Sequence, residues 1–109
     1  MKKKSKKRRS YKKGARFERE VRRKLESIGL IVFRLARSKP FDLIGFDLER
    51  GKIYLIECKI RGNPSGIQLY QQSKIVSKLR PKFNIEYIVI TKRNLENFIG
   101  IFRKHFIDH

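Results

Sequence analysis

The chain has 109 residues, 39% of them apolar, with eight Phe and four Tyr, enough for one domain with a modest core. Lys and Arg number 29 against 10 Asp and Glu, and the net charge of +19 self-repels unless a polyanion offsets it. Nucleic acid is the expected partner, ahead of an anionic membrane surface, because the basic cluster lacks an amphipathic apolar face. No apolar run reaches transmembrane length, no signal-peptide pattern is present, and the single Cys58 excludes an internal disulfide, so a cytoplasmic protein is expected.

Residues 1–13 (MKKKSKKRRSYKK) carry basic residues, no acidic ones and no apolar period, and read as a disordered basic arm before one folded domain, 14–109. A helix is predicted from about Gly14 to Ser27, with Phe17, Val21, Leu25 and Ile28 on one stripe and Gly29 as the left-handed cap. Leu30–Ala36 is β-rich, and Arg37-Ser38-Lys39-Pro40 is a loop. Phe41–Leu48 and Ile53–Ile60 read as two strands joined by a tight turn over Glu49-Arg50-Gly51-Lys52. A second helix is predicted over Leu69–Leu79, ending at Arg80-Pro81. Ile85–Thr91 is apolar nearly throughout and reads as a central strand. Phe98–Phe102 fits either a helix or a strand, and an edge strand with a short helical end is favoured. The order α-β-β-β-α-β predicts an α/β fold, a mixed sheet flanked by helices.

Charged residues inside two of these apolar strands need a partner or a use. With the hairpin turn centred on Arg50-Gly51, Asp42 faces Lys59 and Ile44 faces Glu57. Asp42, Glu57 and Lys59 then project from one face at the open end of the hairpin, and a one-residue slip would separate Asp42 from the others. Glu18 lies about 20° from Leu25 on a helical wheel, at the edge of the buried stripe, the best placed of the helix acids to reach the sheet. Carboxylates from Asp42 and Glu57, with the Cys58 backbone carbonyl between Glu57 and Lys59, form a hard-oxygen set suited to Mg²⁺, with Glu18 ligating through water. Such a cation lowers the pKa of a bound water, and Lys59 can orient that water or stabilise the transition state. Each residue alone has an ordinary reading: Asp42 as a turn residue, Glu57 with Lys59 as a surface ion pair, Glu18 as a solvated helix acid, Cys58 as a small core residue. The case rests on their combination.

This pattern resembles the PD-(D/E)xK nuclease superfamily, and more narrowly the archaeal Holliday junction resolvases and their relatives in archaeal viruses. Lys13-Gly14-Ala15-Arg16-Phe17-Glu18-Arg19 is similar to that family's opening "KGxxxER" helix, which implies a catalytic role for Glu18. Phe41-Asp42-Leu43-Ile44 resembles its "PDII" strand, with Phe41 in place of the proline and Pro40 one position earlier, and Ile56-Glu57-Cys58-Lys59 resembles "IExK". The resemblance covers about Lys13 to Thr91. It implies a restriction-endonuclease-like fold, Mg²⁺ with Mn²⁺ able to substitute, and a homodimer that cuts two symmetric strands of a four-way DNA junction.

It also implies a contribution from a loop serine, for which Ser38 is the candidate, and from a glutamine early in the second helix, Gln71 or Gln72. Lys12, Lys13, Arg16, Arg37, Lys39, Arg61 and Gln72 are the candidates for holding DNA. The chain is shorter at its C-terminus than typical members, and Phe98, Phe102 and Phe106 are the expected apolar surface for dimer contact. Two alternatives stay open: a related nuclease acting on flaps, forks or duplex DNA, and a non-catalytic nucleic-acid binder.

Overall fold

The computed structural model describes residues 2–35 and 40–107, and of these the side chains of 12–35 and 40–104. The first helix, α1, spans Lys2–Ser27. It therefore runs through most of the segment read as a disordered arm. Lys and Arg are good helix formers, and extending an existing helix is far easier than nucleating one. Phe17, Val21 and Leu25 are buried, as their spacing requires. Gly29 has φ 106°; its N–H donates to the Glu26 carbonyl and that of Leu30 to the Leu25 carbonyl, which closes the helix in a Schellman cap.

A four-stranded sheet follows, in the spatial order β1-β2-β3-β4: β1 Ile31–Arg34, β2 Leu43–Asp47, β3 Lys52–Lys59 and β4 Ile85–Thr91. The first three strands form an antiparallel meander. Helix α2 (Gly66–Leu79) crosses over and returns the chain so that β4 runs parallel to β3. The mixed sheet flanked by helices is the predicted architecture. β4, however, is an edge strand. Its apolar character comes from helices on both faces, with Ile88 and Ile90 under the α1 side and Ile85 under α2.

The hairpin register is shifted by two residues from the predicted one: Leu43 pairs with Ile56 and Asp47 with Lys52. Asp47 causes this. Its Oδ1 accepts from the Arg50 N–H (3.2 Å), closing the turn, and Gly51 takes the left-handed position at the exit (φ 62°) instead of the centre. Side chains alternate with period two, so a two-residue shift keeps every residue on its predicted face.

The C-terminal segment is a helix, α3 (Leu95–Ile107), where an edge strand was favoured. Asn94 decides this. Its Oδ1 accepts from the Thr91 N–H (2.7 Å), its Nδ2 donates to the Val89 carbonyl (3.0 Å), and its own N–H donates to Thr91 Oγ1 (3.2 Å). The chain thus turns sharply out of β4 into a helix that buries Leu95, Ile99 and Phe102. Phe102 meets Tyr54 edge-on at 5.1 Å, and Phe98 packs beside it, so neither is the exposed contact surface expected of them; the Phe106 side chain lies outside the described residues. Asn94→Ala is expected to lower stability by about 1–2 kcal/mol, through the loss of its side-chain hydrogen bonds to Thr91 and Val89, measured as the shift in urea midpoint at unchanged slope.

One core lies between the sheet and α1 with α3, and a second, around Phe41, Leu55, Val76 and Ile85, lies under α2. Among the described residues no helix is long and apolar enough to cross a membrane.

Candidate active site

Asp42 immediately precedes β2, and Glu57 and Lys59 end β3, so all three lie at one end of the sheet. Carrying the register one step past Leu43–Ile56 sets Asp42 opposite Glu57. The backbone there is pinned. Phe41 is buried under α2, edge-on to Tyr87 at 5.7 Å. The Asp42 N–H donates to the Ile56 carbonyl (3.0 Å), and the Asp42 carbonyl accepts from the Leu35 N–H (2.9 Å). Asp42 Oδ2 accepts from the Cys58 N–H at 2.7 Å, which fixes the carboxylate against the strand that carries Glu57 and Lys59.

Glu57 is only 3% exposed. Its Oε1 accepts from Gln68 Nε2 and its Oε2 from Gln72 Nε2, both at 2.9 Å. Lys59 Nζ stands 3.9 Å from Oε1. Burial, and then the charge of Asp42, push the Glu57 carboxyl up to about 7 against the opposing pull of Lys59 and the two amides. Glu18 reaches the same end from α1. Its Oε1 accepts from Arg34 Nε at 2.7 Å, and its pKa is raised by burial, opposed by Arg34, and raised further by Asp42. Asp42 thus acts electrostatically on both other acids. Cys58 turns its side chain toward the α1–α3 core, where burial pushes the thiol pKa far up; only its main chain belongs to the site.

Among the described residues no three His, Cys, Asp or Glu side chains converge into a closed metal cage. The candidate donors are two carboxylates and a main-chain carbonyl. Each carboxylate oxygen that accepts one N–H keeps a free lone pair. Hard oxygens, too few to dispense with water, fit Mg²⁺ and exclude a structural zinc site. Burial raises both Glu57 and Glu18, the charge of Asp42 adds to each, and a cation between the acids would relieve that repulsion.

Gln72 is corrected: it is 0% exposed and bonded to Glu57, so it cannot hold DNA. Ser38, Arg37 and Lys39 lie outside the described residues. Lys12, Lys13, Arg16 and Arg61 are exposed. Lys13, Arg16, Arg61 and Lys92, with the acid Glu20, line an open groove of about 740 Å³ together with Phe17 and Ile60. Sequence reasoning missed Lys92. Its signal is the α2 crossover, which makes β3 and β4 parallel and sets their following loops side by side. Gln68 was also missed. It stands three residues after the N-cap Ser65, whose side chain accepts from the Gln68 N–H. That spacing suits a capping box, but the Gln68 amide goes to Glu57.

A meander, a crossover helix and a parallel strand, with acids and a lysine at the end of β2 and β3, define a restriction-endonuclease-like α/β protein. The family model described as archaeal Holliday junction resolvase (Hjc) matches residues 9–101, and the chain belongs to that family. It is similar to the crossover junction endodeoxyribonuclease Hjc of Methanocaldococcus jannaschii, with 39% identity over 72 residues, 66% of this chain and 50% of that protein. The chain thus spans about half the length of the curated relative it matches. No solved structure matches it.

Proposed function

We propose that the chain is a Mg²⁺-dependent endodeoxyribonuclease that resolves four-way DNA junctions as a homodimer. The observation that carries this reading is the Asp42–Cys58 hydrogen bond, which locks the first carboxylate beside Glu57 and Lys59. In this reading Asp42, Glu57 and the Cys58 carbonyl hold the cation. When bound, the cation activates a water and offsets phosphate charge. Lys59 orients the attacking water and stabilises negative charge growing on the phosphate. Glu18 holds Arg34 at the site's edge, and Ser38 remains a candidate contributor by resemblance. Two symmetric cuts need two such sites, hence two copies. A DNA substrate and the lone Cys58 support a cytoplasmic location, that of a host cell if the source is an archaeal virus.

The exposed groove of Lys13, Arg16, Arg61 and Lys92 holds a phosphate backbone. Arg61→Ala and Lys92→Ala should each weaken junction binding and reduce the slope of log K against log salt by about 1, measured by fluorescence anisotropy across a salt series.

The test is cleavage of an end-labelled four-way junction beside a linear duplex of the same sequence, with Mg²⁺, with Mn²⁺ and with chelator. Paired symmetric nicks in the junction alone, abolished by chelator, are expected. Cutting of flaps, forks or linear duplex would make it a broader nuclease. Binding without cutting in either metal would leave a DNA-binding protein whose acids are structural.

A further inference from the structure

Gln72 is a completely buried amide on α2, so water supplies none of its hydrogen bonds. Its Nε2 has two hydrogens and uses both. One goes to the Pro40 carbonyl at 2.6 Å, the other to Glu57 Oε2 at 2.9 Å. Its Oε1 accepts from the Tyr87 hydroxyl of β4 at 2.5 Å. The reverse amide orientation would set Oε1 against two acceptors, the Pro40 carbonyl and the Glu57 carboxylate. Only one orientation therefore satisfies every group. Tyr87 supplies the donor that completes it, and a phenylalanine in its place would strand a buried carbonyl.

These four residues come from four segments: the loop before β2, β3, α2 and β4. Pro40 is two residues before Asp42, so Gln72 ties the segment carrying one site acid to the carboxylate of the other. We propose that Gln72 and Tyr87 form a positioning relay, in which Gln72 holds Glu57 and the Pro40–Asp42 segment at a fixed separation and Tyr87 acts only through Gln72. The proposal rests on the reading of Asp42 and Glu57 as the reactive pair. Groups that orient site carboxylates matter in this way because a small misplacement of the reacting geometry slows chemistry more than it weakens binding.

The experiment is a double-mutant cycle of Tyr87→Phe and Gln72→Met in the full chain, with single-turnover junction cleavage and junction affinity measured separately. Tyr87→Phe should slow cleavage about 10-fold at unchanged affinity, and should have no further effect when Gln72 is already Met. The second readout needs no cleavage. In the ¹⁵N-labelled protein the Gln72 side-chain amide should give two well-separated, slowly exchanging proton signals that converge in Tyr87→Phe. A loss of cleavage in Tyr87→Phe that persists undiminished in the Gln72→Met background would overturn the relay. So would Gln72 amide signals untouched by Tyr87→Phe. If the unsubstituted chain cuts no junction, the nuclease reading fails, and the amide signals alone then decide whether Tyr87 sets the Gln72 orientation.

Discussion

Glu57→Gln is expected to cut junction cleavage sharply and yet to raise the melting temperature at pH 8. The loss of activity, about 100- to 1,000-fold or more, follows from removing an ionised oxygen where charge must be held. The gain in stability follows from the cost of that charge in the free protein. The Glu57 carboxyl titrates near 7 in the fold, above its ordinary 4.5, because burial and Asp42 disfavour the ionised form. A carboxyl whose folded pKa is raised stabilises the fold fully below its unfolded pKa and loses that contribution as pH rises through the folded value. Stability of the metal-free protein should therefore fall from about pH 4.5 to about pH 7 and level off above. Glu57→Gln should remove most of that slope. A neutral glutamine offers only one acceptor to the two amides, so the expected gain at pH 8 is about 1 kcal/mol, or roughly 4–8 °C for a domain of this size. Melting curves at pH 5 and pH 8 in chelator decide it; equal slopes in both proteins would show that Glu57 is not held at a disadvantage. Added Mg²⁺ should stabilise the unsubstituted chain more than the variant.

The placement of Asp42, Glu57 and Lys59 was legible because it needed only strand alternation. The predicted turn centre was wrong, since the Asp47 side chain and the Gly51 conformation move it, but an even shift leaves the faces unchanged. Glu18 was legible from helix periodicity, though its bond to Arg34 was not. What the sequence hid was long-range. Nothing in Tyr70-Gln71-Gln72 says which glutamine turns inward, because α2 buries little beyond Gln72 and Val76 and its apolar pattern is weak. The amide settles on Glu57, Pro40 and Tyr87 only once three separate segments have packed. The α3 error has the same origin. FIGIF is ambiguous by composition, and the three hydrogen bonds of Asn94 resolve it. The bounds of α1 take in the charge run, whose Lys and Arg favour helix, whereas periodicity points only to the part from about Gly14 on.

Asp42→Ala should lose both cleavage and stability, and Asp42→Asn only cleavage. The two site acids thus respond in opposite directions, for a structural reason. Glu57 is buried among too few cations, whereas Asp42 Oδ2 accepts the Cys58 N–H at 2.7 Å and so serves the fold as well as the site. Alanine leaves that amide without its acceptor at a partly buried position, at a cost of about 1–2 kcal/mol. Asparagine keeps an oxygen there and should melt near the unsubstituted protein at pH 5 and somewhat above it at pH 8, while its cleavage falls about 100- to 1,000-fold, as for Glu57→Gln. Removing the Asp42 charge also removes a repulsion on both Glu57 and Glu18, so the Glu57 carboxyl should titrate below its value of about 7 and the pH dependence of stability should flatten. Urea unfolding of both variants at pH 5 and pH 8, with single-turnover cleavage in Mg²⁺, separates the two roles. An asparagine variant as unstable as the alanine one would show that Asp42 supports the fold through its charge. An asparagine variant that still cuts at full rate would remove Asp42 from the chemistry.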